Sequence, residues 1–216
     1  MLFHDRRDAG RRLARSLSAR GFARPVVLGV PRGGVVVAYE VARALGAPLD
    51  VVVPRKIGAP ANPELAIGAL AQDGTLVIDE TLMRSLGVDK AYLDEEVSRQ
   101  KAEIDRRLGL YRGGRPAVDL EGTTAIVVDD GIATGATVLA ALRGVRSGHP
   151  ARVVLAVPVA PPDTLERLKA EADEVTCLEA PEPFYAVGQF YRHFDQVADE
   201  EVIDLLSRSH PERRGF

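Results

Sequence analysis

Apolar, β-branched runs alternate along the chain with stretches of helical period. Residues 26–30 form an unbroken apolar run, which reads as a strand buried on both faces. Gly33 and Gly34 follow, then a helical pattern over 35–45 closed by Gly46, a helix stop signal. Residues 51–54 predict a second strand, and 125–128 and 153–159 two further core strands. Helices are expected at 135–146, 161–172 and 199–207, and a strand-like run at 174–178. Ala9, Leu13 and Leu17 recur at four-residue spacing, so the N-terminus predicts an amphipathic helix packed on the body. Apolar strands alternating with helices are the pattern of a parallel α/β sheet.

Between these units the pattern changes. Residues 58–63 are rich in Gly, Pro and Asn and predict a mobile loop. Residues 65–71 and 75–78 flank Gln72, Asp73 and Gly74, a hairpin signal. Residues 89–108 are highly charged, with Leu93, Val97, Ile104 and Leu108 near helical spacing. They predict an inserted helix, exposed on most of its face. Residues 111–120, with Gly113, Gly114 and Pro116, read as a loop. Arg112 or Arg115 within it could cover the site, but a structural surface role is the expectation.

Composition narrows the class. A chain of 216 residues with 46% hydrophobic and 27% charged residues is an ordinary globular domain. No run approaches the ~18 apolar residues of a membrane span. The net charge of −3 argues against a general nucleic-acid binder, which needs a basic surface. Cys177 is the single cysteine, so no internal disulfide or zinc cluster is possible, and its apolar setting predicts a buried structural thiol. The N-terminus carries no apolar h-region, which predicts a cytoplasmic protein. From Asp163 to Asp204 twelve acids face three bases, so the C-terminal end is acidic.

The sharpest chemistry lies in residues 125–137. Four apolar residues end in Asp129 and Asp130, and a short loop then opens a helix with small and hydroxyl residues. Open α/β sheets bind ligands outside the carboxyl ends of their strands. A helix N-terminus offers unpaired N–H groups and partial positive charge. Ala133, Thr134, Gly135, Ala136 and Thr137 therefore predict a phosphate cradle. The adjacent carboxylates suit paired hydroxyls, such as those of a ribose.

This string resembles the motif of the type I phosphoribosyltransferases, which use 5-phosphoribosyl-1-pyrophosphate (PRPP). The resemblance implies a three-layer fold with a mostly parallel central sheet and a small C-terminal hood. It implies a single domain over residues 1–216, with a core at about 20–175 and a hood at about 176–216 to which the N-terminus contributes. It implies that Asp129 and Asp130 hold the ribose hydroxyls and that residues 133–137 hold the 5′-phosphate. Arg32, Gly33 and Gly34, between the first strand and its helix, resemble the family's pyrophosphate loop. Arg55 and Lys56 resemble a basic pair set against the same group. Mg²⁺ is implied as cofactor, held mainly by PRPP, with Asp129 or Asp130 reaching it through water. The flexible loop that closes over the centre in the family corresponds to residues 58–68, and a homodimer is the family's usual assembly.

The acceptor is expected in the hood. Phe184, Tyr185 and Val187 fit its description, since aromatic rings stack on bases. The same cluster equally fits the hood's own small core, and Tyr191 and Phe194 lean that way. Oxopurine enzymes of the family carry an acid before the cradle threonine, where this chain has Ala133. No histidine falls within these motifs. The activity implied is transfer of the phosphoribosyl group of PRPP to a nitrogenous base-like acceptor, with neither nucleic acid nor membrane as partner. The alternative is a non-catalytic PRPP or nucleotide sensor on the same fold. A dinucleotide oxidoreductase fits poorly, because Gly29, Gly33 and Gly34 lack the GxGxxG spacing.

Overall fold

The structure, a computed structural model, describes residues 2–209. Its center is a sheet of five parallel strands: β1 (Pro25–Gly29), β2 (Leu49–Val51), β6 (Thr124–Val128), β7 (Arg152–Val159) and β8 (Glu174–Glu179). Their spatial order is β2-β1-β6-β7-β8. Successive side chains of a strand leave opposite faces, and both faces here are apolar. Ile126 and Val128 enter one core with α1 (Arg6–Ser18), α2 (Gly33–Leu45), α4 (Lys90–Arg112) and α7 (Asp199–Arg208). Ala125 and Val127 enter the other with α5 (Ala136–Arg146) and α6 (Pro162–Leu168). This is the expected three-layer α/β fold.

The connections place a crevice. From β1 the chain crosses through α2 on one face to β2. From β6 it crosses through α5 on the other face to β7. The direction of winding therefore reverses between β1 and β6, which pair in register from Pro25↔Thr124 to Gly29↔Val128. Ligands of open α/β sheets bind at such a switch point.

Three expectations are corrected. The loop predicted at 58–63 is the tip and flanks of a hairpin, β3 (Arg55–Ala59) with β4 (Asn62–Leu70). Its register shifts at Gly58, and a Cβ there would lie 2.6 Å from the Pro63 carbonyl oxygen. Gly and Pro thus mark a bulged, tightly paired hairpin rather than a loop. β5 (Leu76–Ile78) completes this antiparallel three-stranded sheet. The second core strand ends at Val51, so Arg55 and Lys56 open β3 instead of closing a parallel strand. Tyr111 and Arg112 belong to α4, and a short α3 (Glu80–Ser85) had no apolar stripe to announce it.

Helix α4 is tied inward by polar as well as apolar groups. Glu96, Gln100, Ile104 and Tyr111 are buried. Arg112 donates to the buried Asp50 at 3.0 Å, and Asp50 also accepts from the Val118 backbone, pinning the following loop. Cys177 is half-buried, and burial pushes its thiol up to about 11, so it is inert at neutral pH.

Candidate active site

The segments after β1 and β6 meet because their strands are neighbours. Val30 N–H donates to the Val128 carbonyl at 2.9 Å, continuing the pairing past the strand ends. Beyond it, the Pro31–Arg32 peptide is cis and α2 begins at Gly33. The glycines are required by distance. A Cβ on Gly33 would lie 1.9 Å from Asp130 Oδ2, and one on Gly34 would lie 2.9 Å from the Asp129 Cα. The expected pyrophosphate loop and the acid pair are therefore in direct contact.

Both carboxylates are partly exposed. Asp129 Oδ1 accepts from the Asp130 backbone N–H at 2.8 Å. Burial, and the Asp130 charge beside it, push the Asp129 carboxyl well above the usual carboxylate range. Burial raises Asp130 as well, and the Arg6 guanidinium pulls it in the opposite direction. Arg6 Nε donates to Asp130 Oδ2 at 2.6 Å, with only 12% and 14% of the two side chains exposed. The Tyr191 hydroxyl donates to the Asp130 carbonyl at 2.5 Å.

The cradle follows from local chemistry. Gly135 is the N-cap of α5 at φ +81°, a left-handed conformation that costs an L side chain roughly 1–2 kcal/mol. It supplies no capping side chain, so the first-turn N–H groups of α5 are left for a ligand. The loop carbonyls are engaged on the other side. Thr164 Oγ1 donates to the Ala133 carbonyl and an Arg167 N–H to the Thr134 carbonyl, each at 2.9 Å. Residues 133–137 are all at least partly exposed, Ala133 and Thr134 the most. Thr134, Gly135 and Ala136 also line a cavity of about 840 Å³ shared with Lys56, Ile67, Ile78 and Arg167.

The basic residues are placed less simply. Arg32 sits at the N-cap of α2, 3.9 Å from Asp199 at the start of α7. Asp199 also accepts from the buried Tyr111 hydroxyl at 2.6 Å, and with burial this pushes the phenol up to about 12. Arg55 Nε donates to Gln100 of α4 at 2.9 Å. The inserted helix thus contacts residues tied to both arginines.

The hood divides. Phe184 packs against Phe190 at 4.8 Å between ring centers, inside a cluster with Phe3 and Tyr191. Tyr185 is 83% exposed. Val187 lies against Gly131, the residue after the acid pair, 2.5 Å from where a Cβ would stand there. Phe3 pairs with Tyr191, and Leu2 and Phe3 donate to the Phe190 carbonyl, so the start of α1 is tied to this aromatic cluster by the residues before it. The residue that sequence reading missed at the center is Arg6. It was one of seven arginines in the first 24 residues, with nothing local to single it out.

Among the described residues no group of three or more His, Cys, Asp or Glu is arranged to hold a metal. Asp129 and Asp130 are hard oxygen donors, which suit a Mg²⁺ ion that takes most of its ligands from substrate and water. No described helix is long and apolar enough to cross a membrane.

Comparison with known proteins shows the family. The family model described as "Phosphoribosyl transferase domain" matches residues 3–195. A protein of Mycobacterium tuberculosis, provisionally named a phosphoribosyl transferase, is 49% identical over 209 residues. The match covers 97% of this chain and 47% of that protein, so the chain spans about half the length of that relative. A crystal structure from Thermus thermophilus is 50% identical, with a TM-score of 0.82, and the match covers 96% of this chain and 99% of that one. With most of its length matched by the family model, the chain belongs to the phosphoribosyl transferase domain family.

Proposed function

We propose that the chain is a Mg²⁺-dependent phosphoribosyltransferase that transfers the phosphoribosyl group of PRPP to a nitrogenous base-like acceptor. The observation that carries this reading is the contact of Gly33 and Gly34 with Asp129 and Asp130 at the β1/β6 switch point. A ribose held by the acid pair would have its C1 substituent beside the glycine loop, and its 5′-phosphate would meet the α5 N-terminus. In this reading Asp129 and Asp130 accept the ribose hydroxyls and lie near the cationic charge that develops at C1. Ala133, Thr134, Gly135, Ala136 and Thr137 hold the 5′-phosphate through backbone and hydroxyl donors. Arg32, Arg55, Lys56 and the backbone of Gly33 and Gly34 face the pyrophosphate. The acceptor nitrogen forms its bond to C1, the C1–O bond breaks with its electron pair on pyrophosphate, and the proton of the acceptor nitrogen passes to solvent water. Bound Mg²⁺ would supply charge neutralisation for the leaving group. Val187, beside Gly131, is the hood residue best placed to meet an acceptor, with Phe184 and Tyr185 flanking it in sequence.

Binding is tested by melting temperature. At about 100 times Kd a ligand adds about 2.7 kcal/mol, or about 5–10 °C for a chain of this size. PRPP with Mg²⁺ is expected to produce that rise in the wild type, and D130N or T137V to abolish it. An unchanged wild-type melt at saturating PRPP and Mg²⁺ would sink the reading.

A further inference from the structure

Helix α4 is mostly charged, yet it buries two polar side chains on one face. Tyr92, Glu96, Gln100 and Ile104 recur every four residues, so they stand in one row along the helix. A helix docked on a body ordinarily fills such a row with apolar groups. Here Glu96 is 5% and Gln100 9% exposed. Burying an amide and a carboxyl costs free energy unless each finds a partner, so packing alone does not call for them. Their partners lead toward the site. Gln100 Nε2 donates to Glu96 Oε1 at 2.7 Å, and Gln100 Oε1 accepts from Arg55 Nε at 2.9 Å. Glu96 is in turn paired with Arg99.

We propose that Gln100 is a positioning residue of the site, holding the Arg55 guanidinium in place for pyrophosphate and so making the inserted helix α4 part of the active site. The proposal rests on the reading of Arg55 as a residue that faces the pyrophosphate. An arginine side chain carries several rotatable bonds, and ordering it when the ligand arrives weakens binding. Gln100 fixes it beforehand. The amide cannot turn over, because Glu96 accepts only from its NH₂ end, which leaves its oxygen aimed at Arg55. Gln100 takes the Nε donor of the guanidinium, and an end-on grip on an anion uses the two Nη groups.

The helix is itself anchored on both sides of this contact. The Tyr92 hydroxyl donates to the Gly58 carbonyl at 2.9 Å, so α4 grips β3 by its backbone as well as by Arg55. At the other end Arg112 donates to the buried Asp50 of β2 at 3.0 Å. Arg55 opens β3 and pairs with Leu70 across the hairpin. Backbone pairing fixes where the side chain starts, and Gln100 fixes where it ends.

The test is calorimetric binding of pyrophosphate with Mg²⁺, and separately of ribose 5-phosphate, to wild type, Q100L, R55A and the double variant R55A/Q100L. Q100L is expected to weaken pyrophosphate binding roughly 2–10-fold and to leave ribose 5-phosphate unchanged. On the R55A background Q100L should change pyrophosphate affinity no further, because the residue acts through Arg55. The exchange E96Q/Q100E keeps an acceptor facing Arg55 with an amide behind it, and should restore most of the lost affinity. Wild-type pyrophosphate affinity in folded Q100L, an equal loss for both ligands, or the same loss without Arg55 overturns the proposal. A further measurement needs no variant to fold. In ligand-free wild type the Arg55 Nε–H should exchange with water about tenfold more slowly than that of the exposed Arg15, and equal rates overturn the proposal. A wild type that binds no pyrophosphate overturns instead the reading of Arg55 on which the proposal rests.

Discussion

Adding one methyl group at Gly33 tests whether the glycine loop and the acid pair form one site. The new Cβ of G33A would stand 1.9 Å from Asp130 Oδ2 and 2.6 Å from Arg6 Nε. Relaxed non-bonded contacts lie near 3.5 Å, so the carboxylate must retreat by on the order of 1.6 Å. Arg6 cannot follow freely, because Phe194 and the Asp195 carbonyl hold it. The 2.6 Å charged hydrogen bond is therefore stretched or lost, at about 1.5–3 kcal/mol. Overpacking adds about 1–3 kcal/mol. A central figure of about 4 kcal/mol corresponds to a fall in Tm of about 8–16 °C for a chain of this length. PRPP affinity should drop more than tenfold, since each 1.4 kcal/mol is about a factor of ten. G46A is the control. Gly46 is the C-cap of α2 at φ +60° with nothing within 4 Å of an added Cβ. It should lose about 1–2 kcal/mol through backbone strain and bind PRPP as the wild type does. Thermal melts and calorimetry on the two variants decide the matter. Wild-type PRPP affinity in a folded G33A protein, or an equal loss in G46A, would refute the reasoning.

Two further outcomes are expected. G135A combines a left-handed φ of +81° with a Cβ 2.9 Å from the Thr164 methyl, so it should cost about 2–3 kcal/mol and tilt the cradle. PRPP binding should weaken while binding of free pyrophosphate changes little, as read by calorimetry with each ligand. On α4, Glu103 accepts from Arg106 at 2.7 Å and Arg107 at 2.6 Å, hydrogen bonds that hold its carboxyl down at about 2. A depressed carboxyl stabilises the fold above its ordinary value and loses that contribution as pH falls. E103Q should therefore melt about 1–3 °C lower at neutral pH, and the gap should close between about pH 4.5 and about pH 2. A gap that persists at the acid end would contradict the assignment.

The core and the acid pair were legible because their signals are local. The run before Asp129 is apolar at every position since β6 is buried on both faces. Gly135 and Thr137 follow within a few residues. What escaped depends on distant contacts. The hairpin of β3 and β4 uses Gly58, Pro63 and Asn62 to make a bulge and a tight pairing, and those residue types in isolation read as loop. The inserted α4 looked like a solvated surface because it is mostly charged. Yet Gln100 reaches Arg55, and Tyr111 reaches the Asp199 that lies beside Arg32. Arg6 was hidden for the same reason. An arginine in a basic N-terminal helix carries no mark of the carboxylate that the α1–α2 crossing presents to it. The aromatic hood shows a limit of another kind. Phe184 packs on Phe190 and Tyr185 is exposed, a division that composition does not reveal.

The central claim is that this site turns PRPP over. Its most direct measurement is pyrophosphate release from PRPP and Mg²⁺ in the presence of a panel of purine, pyrimidine and other nitrogenous bases, with D130N as the blank. Base-dependent release by the wild type, absent from D130N, is the predicted result. A protein that PRPP stabilises but that releases no pyrophosphate with any base would contradict the claim and make the chain a PRPP sensor.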